Sequence, residues 1–267
     1  MQAQIANSAA PILVTGGTGT LGRLVVARLR EAGRAVRVLS RGPHEAEGIE
    51  FVRGDLSTGE GTAAAVQGVE IVVHCAGTAK GDGEKACHLV EAASAAGVRH
   101  VVYISVVGAD RIPMAGAIDR AMFGYFASKL AGERVVAQSD IPWTTLRATQ
   151  FFDLTLKTAE AMAKLPVIPV PAGFRFQPVA ADEVAARLVE LALSPPAGLV
   201  PAIGGPRAYD MAELVRGYLR AASKRRSILR VPVPGKAAAA IRDGANLAPD
   251  HAVGRRTWED FLVARVS

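Results

Sequence analysis

The sequence predicts an α/β fold built on a doubly wound parallel sheet, and three observations predict it. Apolar, largely β-branched runs alternate with helical patterns over the first 150 residues, an order that selects a parallel sheet with right-handed crossovers. Runs such as Ile71-Val72-Val73 and Val101-Val102-Tyr103-Ile104 are apolar without alternation, as suits strands covered on both faces. The third is the stretch Thr15-Gly16-Gly17-Thr18-Gly19-Thr20-Leu21-Gly22, which joins the apolar run Ile12-Leu13-Val14 to a helical pattern.

Strands are expected at 11–15, 35–40, 49–52, 69–75, 99–105 and 142–147, with helices at 20–32, 58–66, 83–96 and 117–138 between them. After residue 150 the pattern loosens. The proline-rich run from Leu165 to Pro171 cannot continue a helix and reads as a short edge strand. Further helices are expected at 181–193, 209–222 and 254–264, whereas 228–249, broken by Pro232, Pro234 and Gly244, reads as irregular. The division is therefore a dinucleotide-binding core over 1–150 and a small, partly helical substrate region over 151–267, in one compact unit.

Bulk properties exclude several classes. No run is long and apolar enough to span a bilayer, and no secretory leader pattern opens the chain, so no membrane partner is expected. Two cysteines, Cys75 and Cys87, make neither a disulfide framework nor a C-x-x-C motif, which fits a reducing cytoplasm. The five histidines are scattered without ligand spacing, so no metal is expected. A formal charge of +6 suits a polyanionic cofactor; the dense run Lys224-Arg225-Arg226 reads as a solvated helix end, and no nucleic-acid signature accompanies it.

The glycine stretch carries the first chemistry. Gly16, Gly19 and Gly22 recur at three-residue steps, and Gly17 adds a G-x-G-x-x-G reading. A strand turning sharply into a helix needs glycine, and a pyrophosphate resting on the helix N-terminus needs backbone N–H groups free of side chains. The second strand ends Leu39-Ser40-Arg41 with no acidic residue to hold a ribose diol. Ser40 and Arg41 offer donors to a 2′-phosphate instead, which favours NADP(H), with NAD(H) as the alternative. Asp55, followed by Leu56, reads either as a contact to the adenine amino group or as a helix N-cap. Cys75-Ala76-Gly77 closes the fourth strand with small residues that let backbone approach the cofactor ribose.

Tyr125 and Lys129, at i and i+4 in the expected helix 117–138, lie on one face. A phenol is a poor proton donor near neutrality, and an ammonium beside it stabilises the phenolate. The same lysine can hydrogen-bond the nicotinamide ribose, so the pair serves both cofactor binding and proton transfer.

Together these motifs resemble the short-chain dehydrogenase/reductase superfamily, and within it the atypical NmrA-like branch of NAD(P)-binding proteins. The resemblance rests on the Thr15–Gly22 loop, Asp55-Leu56, Cys75-Ala76-Gly77, the run Tyr103–Ala109 and Tyr125–Lys129. Trp143–Phe151 and Phe176-Gln177-Pro178-Val179 leading into Asp182–Ala185 add to it. It implies a Rossmann fold, Tyr125 as catalytic acid/base, Lys129 as its partner, and Ala148, Thr149, Gln150 and Phe151 facing the nicotinamide. Two positions depart from the family pattern. Where the active enzymes carry a second serine that holds the substrate oxygen, this chain has Val106; Ser105 precedes it on the opposite strand face and is a catalytic candidate only if the strand end bends. Ala148-Thr149-Gln150 replaces a Pro-Gly turn, and Thr149 or Gln150 offers a donor to a substrate carbonyl. Phe151 and Phe152 suit a pocket wall and a helix core equally well.

The expected function is NADPH-dependent reduction of a small organic carbonyl or related double bond, by a monomer or homodimer. The alternatives are an NADP(H)-binding sensor without turnover and an epimerase or dehydratase that retains NAD.

Overall fold

A computed structural model describes residues 10–78 and 80–266. The chain runs β1 (Ile12–Thr15), α1 (Gly22–Glu31), β2 (Val36–Ser40), β3 (Ile49–Arg53), α2 (Thr62–Val66), β4 (Ile71–His74), α3 (Asp82–Ala95), β5 (His100–Val106), α4 (Ala117–Ala137) and β6 (Trp143–Ala148). It continues α5 (Phe152–Met162), β7 (Val167–Pro171), β8 (Arg175–Phe176), α6 (Ala181–Ala192), β9 (Gly198–Leu199), β10 (Tyr209–Asp210), α7 (Met211–Ala221), β11 (Ser227–Val231), α8 (Lys236–Arg242) and α9 (Trp258–Val266).

Seven strands form the parallel central sheet in the order β3-β2-β1-β4-β5-β6-β9, flanked by helices. β1 lies between β2 and β4, so the strand order reverses beside it. Its register sets Thr15 against Leu39 of β2 and His74 of β4. The carboxyl ends of β1 and β4 thus flank the switch point at which open α/β sheets bind ligands. The α/β parallel-sheet expectation is met.

By internal contacts the chain forms two compact units. One takes in the chain to Ile104, Ser128–Leu146 and Ala185–Val200; the other takes in Ser105–Ala127, Arg147–Val184 and the chain from Pro201. The chain crosses between them repeatedly, whereas the sequence reading divides it once, at residue 150. In the first unit Leu13, Val72, Val101 and Tyr103 from the strands pack with Ala86, Leu89 and Val136 from α3 and α4. In the second, Phe152 of α5 stacks with Trp258 and Phe261 of α9, at ring centroids 5.9 and 5.1 Å. The indole nitrogen of Trp258 donates to the Leu214 carbonyl at 3.1 Å, so its one polar atom is satisfied inside that core.

The largest departures from sequence expectation lie after residue 150. The stretch 228–249 is not irregular: it holds most of β11 and all of α8. Ser227-Ile228-Leu229-Arg230-Val231 ends before Pro232, so the prolines terminate a strand rather than prevent one. The alanine run 237–240 forms the body of α8, as its high helix propensity favours. The helix expected at 58–66 begins only at Thr62, because Asp55 to Gly61 close a turn in which the Asp55 N–H donates to the Glu60 carbonyl. Helix 209–222 is a short strand, β10, followed by α7, whose N-cap Asp210 accepts from the Ala212 N–H at 2.9 Å.

Truncating the largest buried side chain of the second unit tests this packing. Trp258→Ala is expected to lower the unfolding free energy by about 3–5 kcal/mol, read from urea unfolding midpoints; a loss below about 1 kcal/mol would contradict the stacked core.

Candidate cofactor site

The glycine turn after β1 opens the site. Gly16 has φ +68°, in the left-handed region, and a Cβ there would lie 2.7 Å from the Ala76 nitrogen. The turn after β1 therefore lies backbone to backbone against the segment after β4, a closeness only glycine permits. The Gly19 N–H donates back to the Gly16 carbonyl at 2.9 Å, and the chain then enters α1 through Thr20 and Leu21, with Gly22 as its first residue.

A hollow of about 400 Å³ follows from this approach, wholly within the first unit. Gly16, Thr18 and Gly19 form one wall, Ser40 and Arg41 the end of β2, Asp55 and Leu56 the turn after β3, and Cys75, Ala76 and Gly77 the segment after β4. These ten sequence-predicted cofactor residues therefore converge. Thr20, Leu21 and Gly22 do not line the hollow; they carry the turn into the helix. His44, Thr78 and Lys85 also line it, and the sequence reading missed all three.

One alternative left open by the sequence is resolved here. Asp55 is not a helix N-cap: its Oδ1 accepts from the Ser57 N–H at 2.8 Å, five residues before α2 begins. That backbone hydrogen bond, with the charge of Arg41 as a lesser contribution, holds its carboxyl below the usual carboxylate range. Burial pushes the neighbouring Cys75 thiol up to about 12 despite the opposing charge of Lys129, which disfavours its thiolate.

Beside it, His74 is fully buried, with Nδ1 2.6 Å from Thr15 Oγ1. Burial first, then the charges of Lys129 and Lys85, push it down to about 3, so it stays neutral and ties β4 to β1.

The most constrained group is Lys129. Its ammonium is buried 3.1 Å from Asp82 Oδ2, donates to the Ile104 carbonyl at 3.3 Å and lies over the Tyr103 ring at 5.2 Å. Asp82 is itself buried; its other oxygen accepts from the Thr78 N–H at 2.9 Å and lies 3.8 Å from the Lys85 ammonium. A Cβ on Gly77 would lie 2.6 Å from the Lys129 nitrogen, so a side chain there would displace the ammonium. Lys129 thus stands directly behind the hollow's wall. Asp82 escaped the sequence reading because an acid in the first turn of a helix has an ordinary explanation in the helix dipole. What sequence does not show is that it is buried.

The remaining predicted residues lie in the second unit. Tyr125 is 39% exposed, its ring edge-on to Phe126 at 6.0 Å. Ser105 and Val106 are both buried in the regular strand β5, so they take opposite faces, and Ser105 Oγ has no hydrogen-bond partner among the described residues. Ala148 is buried and its carbonyl accepts from the Val107 N–H at 2.9 Å. The Thr149 hydroxyl donates to the Gln177 carbonyl at 2.5 Å, so it is engaged within the fold. Gln150 is half-buried, with Oε1 3.4 Å from the Gln177 nitrogen. Phe151 is half-buried at the start of α5, while Phe152 is fully buried in the aromatic stack. For Phe152 the core reading is therefore the one met.

The hollow suits a nicotinamide dinucleotide. It offers a glycine turn opening a helix, donors rather than a carboxylate at the end of β2, and a cation, Lys85, on the opposite wall. The profile of the NAD(P)H-binding family matches residues 16–195. The chain belongs to that family. It is 30% identical to a ceramide reductase of Caulobacter vibrioides, over 84% of this chain and 74% of that protein. It is 32% identical to a (4-alkanoyl-5-oxo-2,5-dihydrofuran-3-yl)methyl phosphate reductase of Streptomyces griseus, over 76% and 70%. Among solved structures, an NADPH-dependent quinone oxidoreductase of Escherichia coli, complexed with NADPH, superposes with a TM-score of 0.79 at 20% identity, over 95% of this chain and 99% of that one. Family and relatives together support an NAD(P)H-dependent oxidoreductase in general, with NADP(H) as cofactor and NAD(H) as the alternative.

The buried pair yields a direct test. Asp82→Ala leaves the Lys129 ammonium buried without a counter-charge and is expected to cost about 3–5 kcal/mol of stability. Asp82→Asn, which keeps an acceptor for the Thr78 N–H, is expected to cost less. Denaturant titration of both variants decides; equal or negligible losses would contradict the account.

Proposed function

We propose that the protein is an NADPH-dependent reductase of a small organic carbonyl or related double bond, with Tyr125 as proton donor. One observation carries the reading. Lys129 is fixed behind the cofactor hollow by Asp82, and Tyr125, one turn earlier on α4, keeps its ring partly open to solvent. Relatives named as reductases support the reaction class.

When bound, the nicotinamide supplies the hydride. The protein's own residues position, orient and move one proton. Backbone N–H groups of the Thr15–Gly22 turn and the Ser40 and Arg41 donors would hold the phosphates. Lys129 donates toward the nicotinamide ribose, and its charge favours the phenolate that Tyr125 becomes on releasing its proton to the substrate oxygen. Val106 brings no hydroxyl to that oxygen. The Gln150 amide nitrogen, not engaged by a described residue, is the donor left for it, because Ser105 lies on the opposite face of the regular strand β5. Cofactor binding then belongs to residues 1–150 and substrate choice to 151–267.

Val106 is also the observation that favours a second reading, an NADP(H)-binding sensor without turnover. The two separate on Tyr125→Phe, assayed against ketones, quinones and enones. A reductase is expected to lose about 10²–10⁴ in kcat with NADPH affinity unchanged. Full activity in the variant would remove Tyr125 from the proton step, and wild-type protein that binds NADPH but turns over nothing in the panel favours the sensor.

A further inference from the structure

A second surface lies in the second unit and uses none of the cofactor residues. β7 and β11 pair in parallel as a separate two-stranded sheet, with Val167 opposite Ser227 and Leu229 opposite Pro169. Its inner face is conventional: Ile168 and Val170 are buried in the second unit's core and Ile228 packs against it. A solvated outer face should then be polar. Instead Val167 is 48% exposed, Leu229 57% and Val231 37%, with Leu165 at 45% just ahead of β7.

Parallel pairing also places the entry ends of the two strands side by side. Lys164 precedes β7 and Arg225 and Arg226 precede β11, and these three side chains border one hollow that no carboxylate lines. Among the described residues none of the three has an acidic side chain within ion-pair distance. By contrast Lys224 folds over the Tyr218 ring at 5.6 Å, and Arg230 on the inner side pairs with Asp210 at 3.2 Å.

We propose that the outer face of β7 and β11 docks on an anionic lipid bilayer, its aliphatic side chains entering the headgroup boundary and Lys164, Arg225 and Arg226 meeting lipid phosphates. Apolar surface bordered by unpaired cations is the combination an anionic interface rewards on both counts. A nucleic acid would match the cations and leave the aliphatic face in water. A second copy packed face to face brings the same cations and no carboxylate from this hollow. The expectation of no membrane partner rests on the absence of a span, and none of the described helices is long and apolar enough to cross a bilayer. A peripheral face needs none.

The test is sedimentation of the full chain with vesicles of phosphatidylcholine, alone or containing phosphatidylglycerol. Binding is expected to be about tenfold tighter or more to the anionic vesicles and to weaken as salt is raised. Leu229→Asp, and separately Arg225→Glu with Arg226→Glu, are each expected to reduce it about tenfold or more while NADPH affinity stays at the wild-type value. Equal binding to both vesicle types, no binding, or binding that Leu229→Asp leaves unchanged overturns the proposal. So does self-association that Leu229→Asp abolishes in a protein that ignores vesicles, which would assign the face to a second copy.

Discussion

The buried ion pair between Lys129 and Asp82 is the constraint on which the cofactor half of the molecule depends. An ammonium taken out of water is tolerated only beside a counter-charge with further hydrogen bonds around both partners. Here one carboxylate oxygen meets the ammonium while the other receives the Thr78 N–H, and the Ile104 carbonyl accepts from Lys129. These contacts join the start of α3, the middle of α4, the end of β5 and the segment after β4. A side chain at position 77 would meet the ammonium and displace it from these contacts. The Lys129 charge is thereby held in place by the fold instead of by a ligand.

A second constraint acts on the opposite wall. Parallel pairing of β1 with both β2 and β4 brings the glycine turn against Ala76, and the neutral His74 holds Thr15 from the side. The hollow is thus bounded by backbone on two sides and by donors from Ser40 and Arg41 on a third. Backbone walls leave room for a long polar ligand such as a pyrophosphate.

Much of this was legible in the sequence, for identifiable reasons. Strands buried on both faces declare themselves as unbroken apolar runs, and a glycine turn between strand and helix has few other uses. Six sheet strands and ten of the residues that line the hollow were readable in the sequence. Asp82, His74 and Lys85 were not, because their roles come from contacts that only folding creates; a histidine ending a strand and charges opening a helix have ordinary local explanations. The region after 150 was the least legible. Its short strands carry prolines or pair with distant partners, and β11 announces itself only once β7 is set beside it. Phe152 shows the same limit: aromatic residues line pockets and fill cores in the same sequence pattern, and only packing decides between them.

Preference of the hollow for a 2′-phosphorylated nicotinamide dinucleotide rests on the Ser40 and Arg41 donors that line it. Its most direct test is a fluorescence titration of the purified protein with NADPH and with NADH under identical salt. NADPH is expected to bind more tightly, by about tenfold or more if the guanidinium contact is made, with the difference shrinking as salt rises. Equal affinity for the two, or tighter binding of NADH, would contradict it.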